Sequence, residues 1–147
     1  MSPQTDIMPW DCADTYGKQL YCSDSGQAHL QQWPLKLRMI SAVAPYFHRA
    51  HIMLAADCAG FSYRNFHKTL LHNRVLIIGC PELDCIEFVD KLLAILQSND
   101  ILSISVARMD APCCSKLACA VIEAVRKSRK SIPVKITTVF TEGEIVV

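Results

Sequence analysis

Two stretches of this chain, His51-Ile-Met-Leu-Ala-Ala-Asp57 and Arg74-Val-Leu-Ile-Ile-Gly79, hold apolar residues at consecutive positions, and Ile101-Leu-Ser-Ile-Ser-Val-Ala107 is broken only by serines. A strand that is apolar on both faces cannot border water, so it must be covered above and below, as in a parallel sheet. The intervening segments carry the covers. Ile86, Val89, Leu92, Leu93 and Leu96 recur at helical spacing, as do Leu117, Ala118, Val121, Ile122 and Val125. Gly60 to Asn73 predicts a further helix with Phe61, Phe66, Leu70 and Leu71 inward. Leu35-Lys-Leu-Arg-Met-Ile40 alternates apolar and charged, which predicts a strand with one wet face, and Pro133 to Phe140 predicts another. Strands alternating with helices through short loops imply an α/β, Rossmann-like, three-layer domain with a mainly parallel sheet of about five strands. That domain is expected over residues 33–147, preceded by an arm, 1–32, of weak periodicity.

Composition limits the partners. With 147 residues and a net charge of +1, the chain has enough length for one buried core and no basic face for nucleic acid. Its dense cationic run, Arg126-Lys127-Ser128-Arg129-Lys130, falls at the end of a predicted helix, where positive charge meets the carbonyl dipoles. No segment approaches the ~20 apolar residues of a membrane span, and the first residues lack the charge and apolar core of a secretory signal. A cytoplasmic protein is expected. Eight cysteines are many for such a compartment, where disulfides are disfavoured, so metal binding or redox chemistry is the expectation.

The cysteines fall at the ends of the apolar runs. Cys58 follows the first run, Cys80 the second, and Cys113 and Cys114 follow the third after a short spacer. In a parallel sheet those ends lie side by side, in the crevice where open α/β sheets bind ligands. Helix starts there would favour thiolates, and backbone N–H groups could donate to metal-bound sulfurs. Pro81, Glu82 and Asp84 predict a helix opening directly after Cys80. Cys85 and His67 are further candidate ligands, Cys119 is a peripheral thiol, and Cys12 and Cys22 lie in the arm. His29, His48, His51 and His72 show no mutual spacing that suggests a site, and no glycine-rich nucleotide loop is present.

Gln32-Trp-Pro-Leu-Lys-Leu37, Ala44-Pro-Tyr-Phe47, Leu54-Ala-Ala-Asp-Cys58, Phe61-Ser-Tyr63 with Phe66-His67, Gly79-Cys-Pro-Glu-Leu-Asp84, Asn99-Asp100 and Pro112-Cys-Cys114 occur in that order. Together they resemble a family of small iron–sulfur-binding, ferredoxin-labelled proteins of anaerobic bacteria and archaea. The family pattern has Cys-Cys-Gly-Gly where this chain has Cys113-Cys114-Ser115-Lys116, and Leu-Asp-Asp where it has Leu83-Asp84-Cys85. The closely spaced amino-terminal cysteines behind the ferredoxin label are also missing here. The resemblance implies Cys58, Cys80, Cys113 and Cys114 as ligands of an iron–sulfur cluster of the 4Fe-4S type. It implies electron transfer or redox sensing, with a redox protein as partner and a homo-oligomer as a further candidate assembly.

The residues alone leave three other readings open. The same thiolates could hold zinc in a structural or regulatory site. Cys80 or Cys114 could be the nucleophile of a metal-free thiol enzyme or sulfur carrier. The cysteines could also be small buried hydrophobes in an interaction module.

Overall fold

A computed structural model of the chain describes residues 29–84 and 87–147. The arm before His29, with Cys12 and Cys22, lies outside the described residues, as does Cys85. The three apolar runs form β1 (His51–Ala56), β2 (Val75–Gly79) and β3 (Ser103–Met109), followed by β4 (Val134–Val139). They are parallel, in the order β2-β1-β3-β4. A two-residue strand, β5 (Ile145–Val146), adds antiparallel to β4 at the edge. The fold is therefore α/β, with a five-stranded, mostly parallel sheet.

From β1 the chain steps to β2 on one side, then crosses back to β3 and β4 on the other. Right-handed crossovers put those two kinds of connection on opposite faces of the sheet. One face takes the short helix α1 (Ala59–Ser62) and a π-helical segment, Phe66–Leu71. The other takes α2 (Phe88–Ser98) and α3 (Pro112–Ser128), which pack against each other. Between the layers Ile52, Leu54, Ile77, Val106, Ile95, Leu96, Leu117 and Val121 are almost completely buried. None of the described helices is long and apolar enough to cross a membrane.

Three sequence expectations need correction. Leu35–Ile40 is not a strand: Leu37–Met39 is a 3-10 turn, and only Lys36 bridges to Ile78 beside β2. Leu37 and Ile40, three residues apart, are both buried while Met39 is exposed, so the working period is three, as in a 3-10 turn. The sheet still reaches five strands, because the tail supplies β5. The helix expected over Gly60–Asn73 stops at Ser62, where Tyr63 turns extended, and resumes as the π-helical segment. There Phe66 and Leu71 are buried, whereas Phe61 is 95 % exposed. The helix expected to open at Pro81 begins at Phe88, after a turn.

The cationic run does close a helix at the surface, and one of its members has a further contact. Arg129 closes α3 in the left-handed conformation, and Lys130 Nζ donates to the carbonyls of Leu96 at 2.5 Å and Asn99 at 2.9 Å. It thus satisfies acceptors at the end of α2, which would otherwise lack partners. Asn99 adds its own side-chain amide to the carbonyls of Ile95 and Ala42.

Gly79 closes β2 against the start of α2. A Cβ at this position would lie 2.8 Å from the Phe88 ring and 3.4 Å from the Asp84 carboxylate. Phe88 is buried and has little room to yield. Gly79→Ala should therefore cost about 1–3 kcal/mol, the usual penalty of overpacking. Urea denaturation measures it; a variant as stable as the parent would show that the α2 start moves freely.

Candidate functional site

The strand register places the predicted cysteines on one edge. Ala56 pairs with Gly79, and Ala55 with Ala107, so the carboxyl ends of β2, β1 and β3 are neighbours. Cys58 follows β1 in the centre, Cys80 follows β2 on one side, and Cys113 and Cys114 open α3 after β3 on the other. The switch in winding direction falls between β1 and β3, the position at which such sheets bind ligands. Cys113 and Cys58 lie near enough to Cys114 there to act on it through charge.

Their environments differ. Cys58 and Cys113 are exposed, Cys80 is half-buried, and Cys114 is buried. Burial pushes the Cys114 thiol up; the Met109 backbone opposes this, while negative charge on Cys113 and Cys58 reinforces it. Helix α3 begins with Pro112 at its first position, so Cys113 and Cys114 occupy its first turn, where N–H groups and the dipole favour anions. Cys80 lacks that setting. Its N–H is donated to Asp84 Oδ2 at 2.8 Å, so it is engaged and not directed at a sulfur.

The residues flanking the thiols hold the loops together. Lys116 forms an ion pair with Glu82, which ties the loop after Cys80 to the first turn of α3. Arg108 Nη1 donates to Ser115 Oγ at 3.0 Å, linking the end of β3 to the same turn. Ser115 and Lys116 are thus both used in tying α3 to its surroundings. Among the described residues no group of three or more His, Cys, Asp and Glu side chains is arranged to hold a metal ion.

His67 does not join them. Its Nδ1 accepts the backbone N–H of His29 at 3.2 Å. His29 Nδ1 in turn lies 3.3 Å from His72 Nδ1, a contact that the linear spacing of the histidines does not disclose. Cys119 is exposed on α3, as expected of a peripheral thiol.

Sequence reasoning missed the charged cluster behind Cys80. Lys36 Nζ donates to Asp57 at 2.8 and 3.0 Å and to Asp84 Oδ2 at 2.8 Å. One ammonium thereby joins the segment beside β2, the end of β1 and the turn that carries Cys80. Only the recurrence of Lys36, Asp57 and Asp84 inside separate motif segments hinted at it. Burial opposes ionisation of Asp84, but the hydrogen bonds from Lys36 and the Cys80 N–H outweigh it and hold the carboxyl below its ordinary value. Burial likewise opposes the charge on Lys36, and its bonds to Asp57 and Asp84 outweigh that to hold the ammonium above its ordinary range.

The sign of the pH effect follows. A depressed carboxyl contributes stability in full above its unfolded value of about 4 and loses it as pH falls through the folded value. A raised ammonium contributes in full below about 10.4 and loses it as pH rises through the folded value. The cluster should therefore hold across the neutral range and fail at both extremes. Asp84→Asn should flatten the acid limb of unfolding free energy against pH, measured by urea titrations below about pH 4. An acid limb as steep as the parent's would remove Asp84 from this role. Lys36→Met, which leaves two carboxylates facing each other, should cost about 1.5–3 kcal/mol at neutral pH.

No solved structure matches the chain. An uncharacterized protein of Archaeoglobus fulgidus is 30 % identical over 102 residues, covering 69 % of this chain and 71 % of the relative. A family model described as a Rossmann-like domain matches residues 44–147, which span every strand of the sheet and each thiol on its carboxyl edge. The chain belongs to this Rossmann-like domain family.

Proposed function

We propose that the protein binds an iron–sulfur cluster at the carboxyl edge of its sheet and serves electron transfer or redox sensing. The observation that carries this reading is the convergence of Cys58, Cys113 and Cys114 between β1 and β3, with Cys80 at the adjacent strand end. The donor set fits the group in kind: thiolates are the usual ligands of such clusters. It also fits in setting, since the first turn of α3 offers N–H groups toward sulfur and Lys116 brings positive charge beside Cys113. When bound, the cluster would supply one-electron chemistry. The chain's own part is to hold the thiolates, exclude water around buried Cys114, and tune potential through nearby donors. Binding must displace protons, above all from Cys114, so affinity should rise with pH.

The rim suits a redox partner. Phe61 and Leu83 lie close in sequence to Cys58 and Cys80, and they are 95 % and 78 % exposed. Apolar side chains beside a thiol crevice can seat a second protein without a charged requirement.

The test is anaerobic purification with a visible spectrum and assays of iron, zinc and acid-labile sulfide on one sample. Brown protein with matched iron and sulfide is expected. Cys58→Ser, Cys80→Ser and Cys114→Ser should each abolish metal content, and Cys119→Ser should leave it intact. Stoichiometric zinc in colourless protein would replace the cluster with a structural zinc site. Full metal content in all the single variants, or none in the parent after reconstitution, would overturn shared ligation.

A further inference from the structure

A second site lies away from the cysteine edge, on the sheet face that carries α1 and the π-helical segment. It is a cavity of about 80 Å³ lined by Arg74, Lys135, Ser105, Thr137 and Thr69, with Met53 and Leu70 among its apolar walls. Met53, Ser105 and Lys135 are register partners across β1, β3 and β4, so they form one row on this face. Thr137 is two residues beyond Lys135 on β4 and shares its face. The row crosses the sheet well before the strand ends that lead to the cysteines.

Polar side chains from three elements meet at this cavity, which opens to solvent past Thr69 and Lys135. Ser105 and Thr137 are 7 % and 2 % exposed, at positions where an apolar side chain would ordinarily pack. Both hydroxyls line the cavity, where each can donate to a bound group. Neither half-buried Arg74 nor exposed Lys135 pairs with a carboxylate among the described residues. Arg74 gives only Nη1 to the Leu70 carbonyl, at 2.7 Å, leaving its other N–H groups free to donate. No Asp or Glu lines the cavity.

We propose that this cavity binds a small tetrahedral oxyanion, phosphate or the phosphoryl end of a small monoester. Arginine's fork and the lysine ammonium supply charge, and the hydroxyls of Ser105, Thr137 and Thr69 donate to the remaining oxygens. Arg74 and Lys135 disfavour a cation here and favour an anion. The volume admits one such group and excludes a nucleotide. The site does not depend on the cysteine reading, since none of its residues adjoins the thiols.

The test uses the full chain and inorganic phosphate, by calorimetric titration at constant ionic strength, with thermal melts in parallel. Saturable binding of phosphate but not chloride is expected. Lys135→Gln and Ser105→Ala should each weaken it about ten- to hundredfold, as expected for loss of a hydrogen bond to a charged group. Neither substitution removes a contact that holds the fold, and unchanged melts without phosphate would confirm that. Methyl phosphate at comparable affinity would identify a phosphoryl end as ligand, and much weaker binding would identify the free ion. Chloride acting equally, or both variants binding like the parent, would overturn the proposal.

Discussion

Parallel strands can be joined only through a crossover, and that crossover is right-handed almost without exception. In this chain the constraint is applied first toward β2 and then in the opposite direction toward β3, with β1 held between them. A strand in that position must be apolar on both faces, and Ile52 to Ala56 satisfies this with every residue buried. The reversal also leaves a gap that no crossover covers, beyond the carboxyl ends of β1 and β3. Residues following those strands meet there whatever their separation in sequence. The cysteines are neighbours for that reason: the covering of β1 decides where Cys58, Cys113 and Cys114 must lie.

Backbone topology brings strand ends together but does not fix loops. Electrostatics does that here. Lys36 reaches from the segment beside β2 to Asp57 at the end of β1 and to Asp84 in the turn after Cys80. Asp84 in turn accepts the Cys80 N–H, so the position of one thiol-bearing loop is set through a single ammonium. All three side chains are at most one-third exposed, which limits solvent screening of the cluster. The pair Lys116–Glu82 is much more exposed and contributes less energy, but it joins the same loop to α3.

The parts of this arrangement that could be read from the chain are those with a short-range signature. Buried parallel strands announce themselves through apolar runs, so β1, β2 and β3 were legible, and with them the shared edge. The alternation at Leu35–Ile40 misled because period two and period three coincide over so few residues; the burial of Leu37 and Ile40 decides for three. Phe61 looked like core because it is aromatic within a helical pattern, yet α1 ends after one turn and leaves it in solvent. Pro81 with Glu82 and Asp84 looked like a helix start, but the Asp84 side chain takes the Cys80 N–H and makes a turn in its place. Lys36 with Asp57 and Asp84 was illegible as a cluster, since contacts that distant in sequence leave no periodic trace. The hydroxyls of Ser105 and Thr137 were hidden for a related reason: serine and threonine are ordinary in strands, and only the sheet shows that these two face inward.

Adjacent cysteines impose a last constraint on the proposed cluster. Successive helical residues diverge by about 100° around the axis, so Cys113 and Cys114 cannot present their sulfurs to one centre in the same way. The fold resolves the difference by burial. Cys114 lies on the inner stripe of α3 with Leu117, Ala118 and Val121, whereas Cys113 faces solvent. On the cluster reading, Cys114 is then the inner ligand, shielded by the core, and Cys113 is the outer one at the rim with exposed Cys58. Exchange with solvent, or with an incoming thiolate, must proceed from the side of Cys58 and Cys113. On that reading the crevice would hold its metal from the core side and open it from the other, an asymmetry suited to passing electrons, or the cluster itself, to a second protein at the rim.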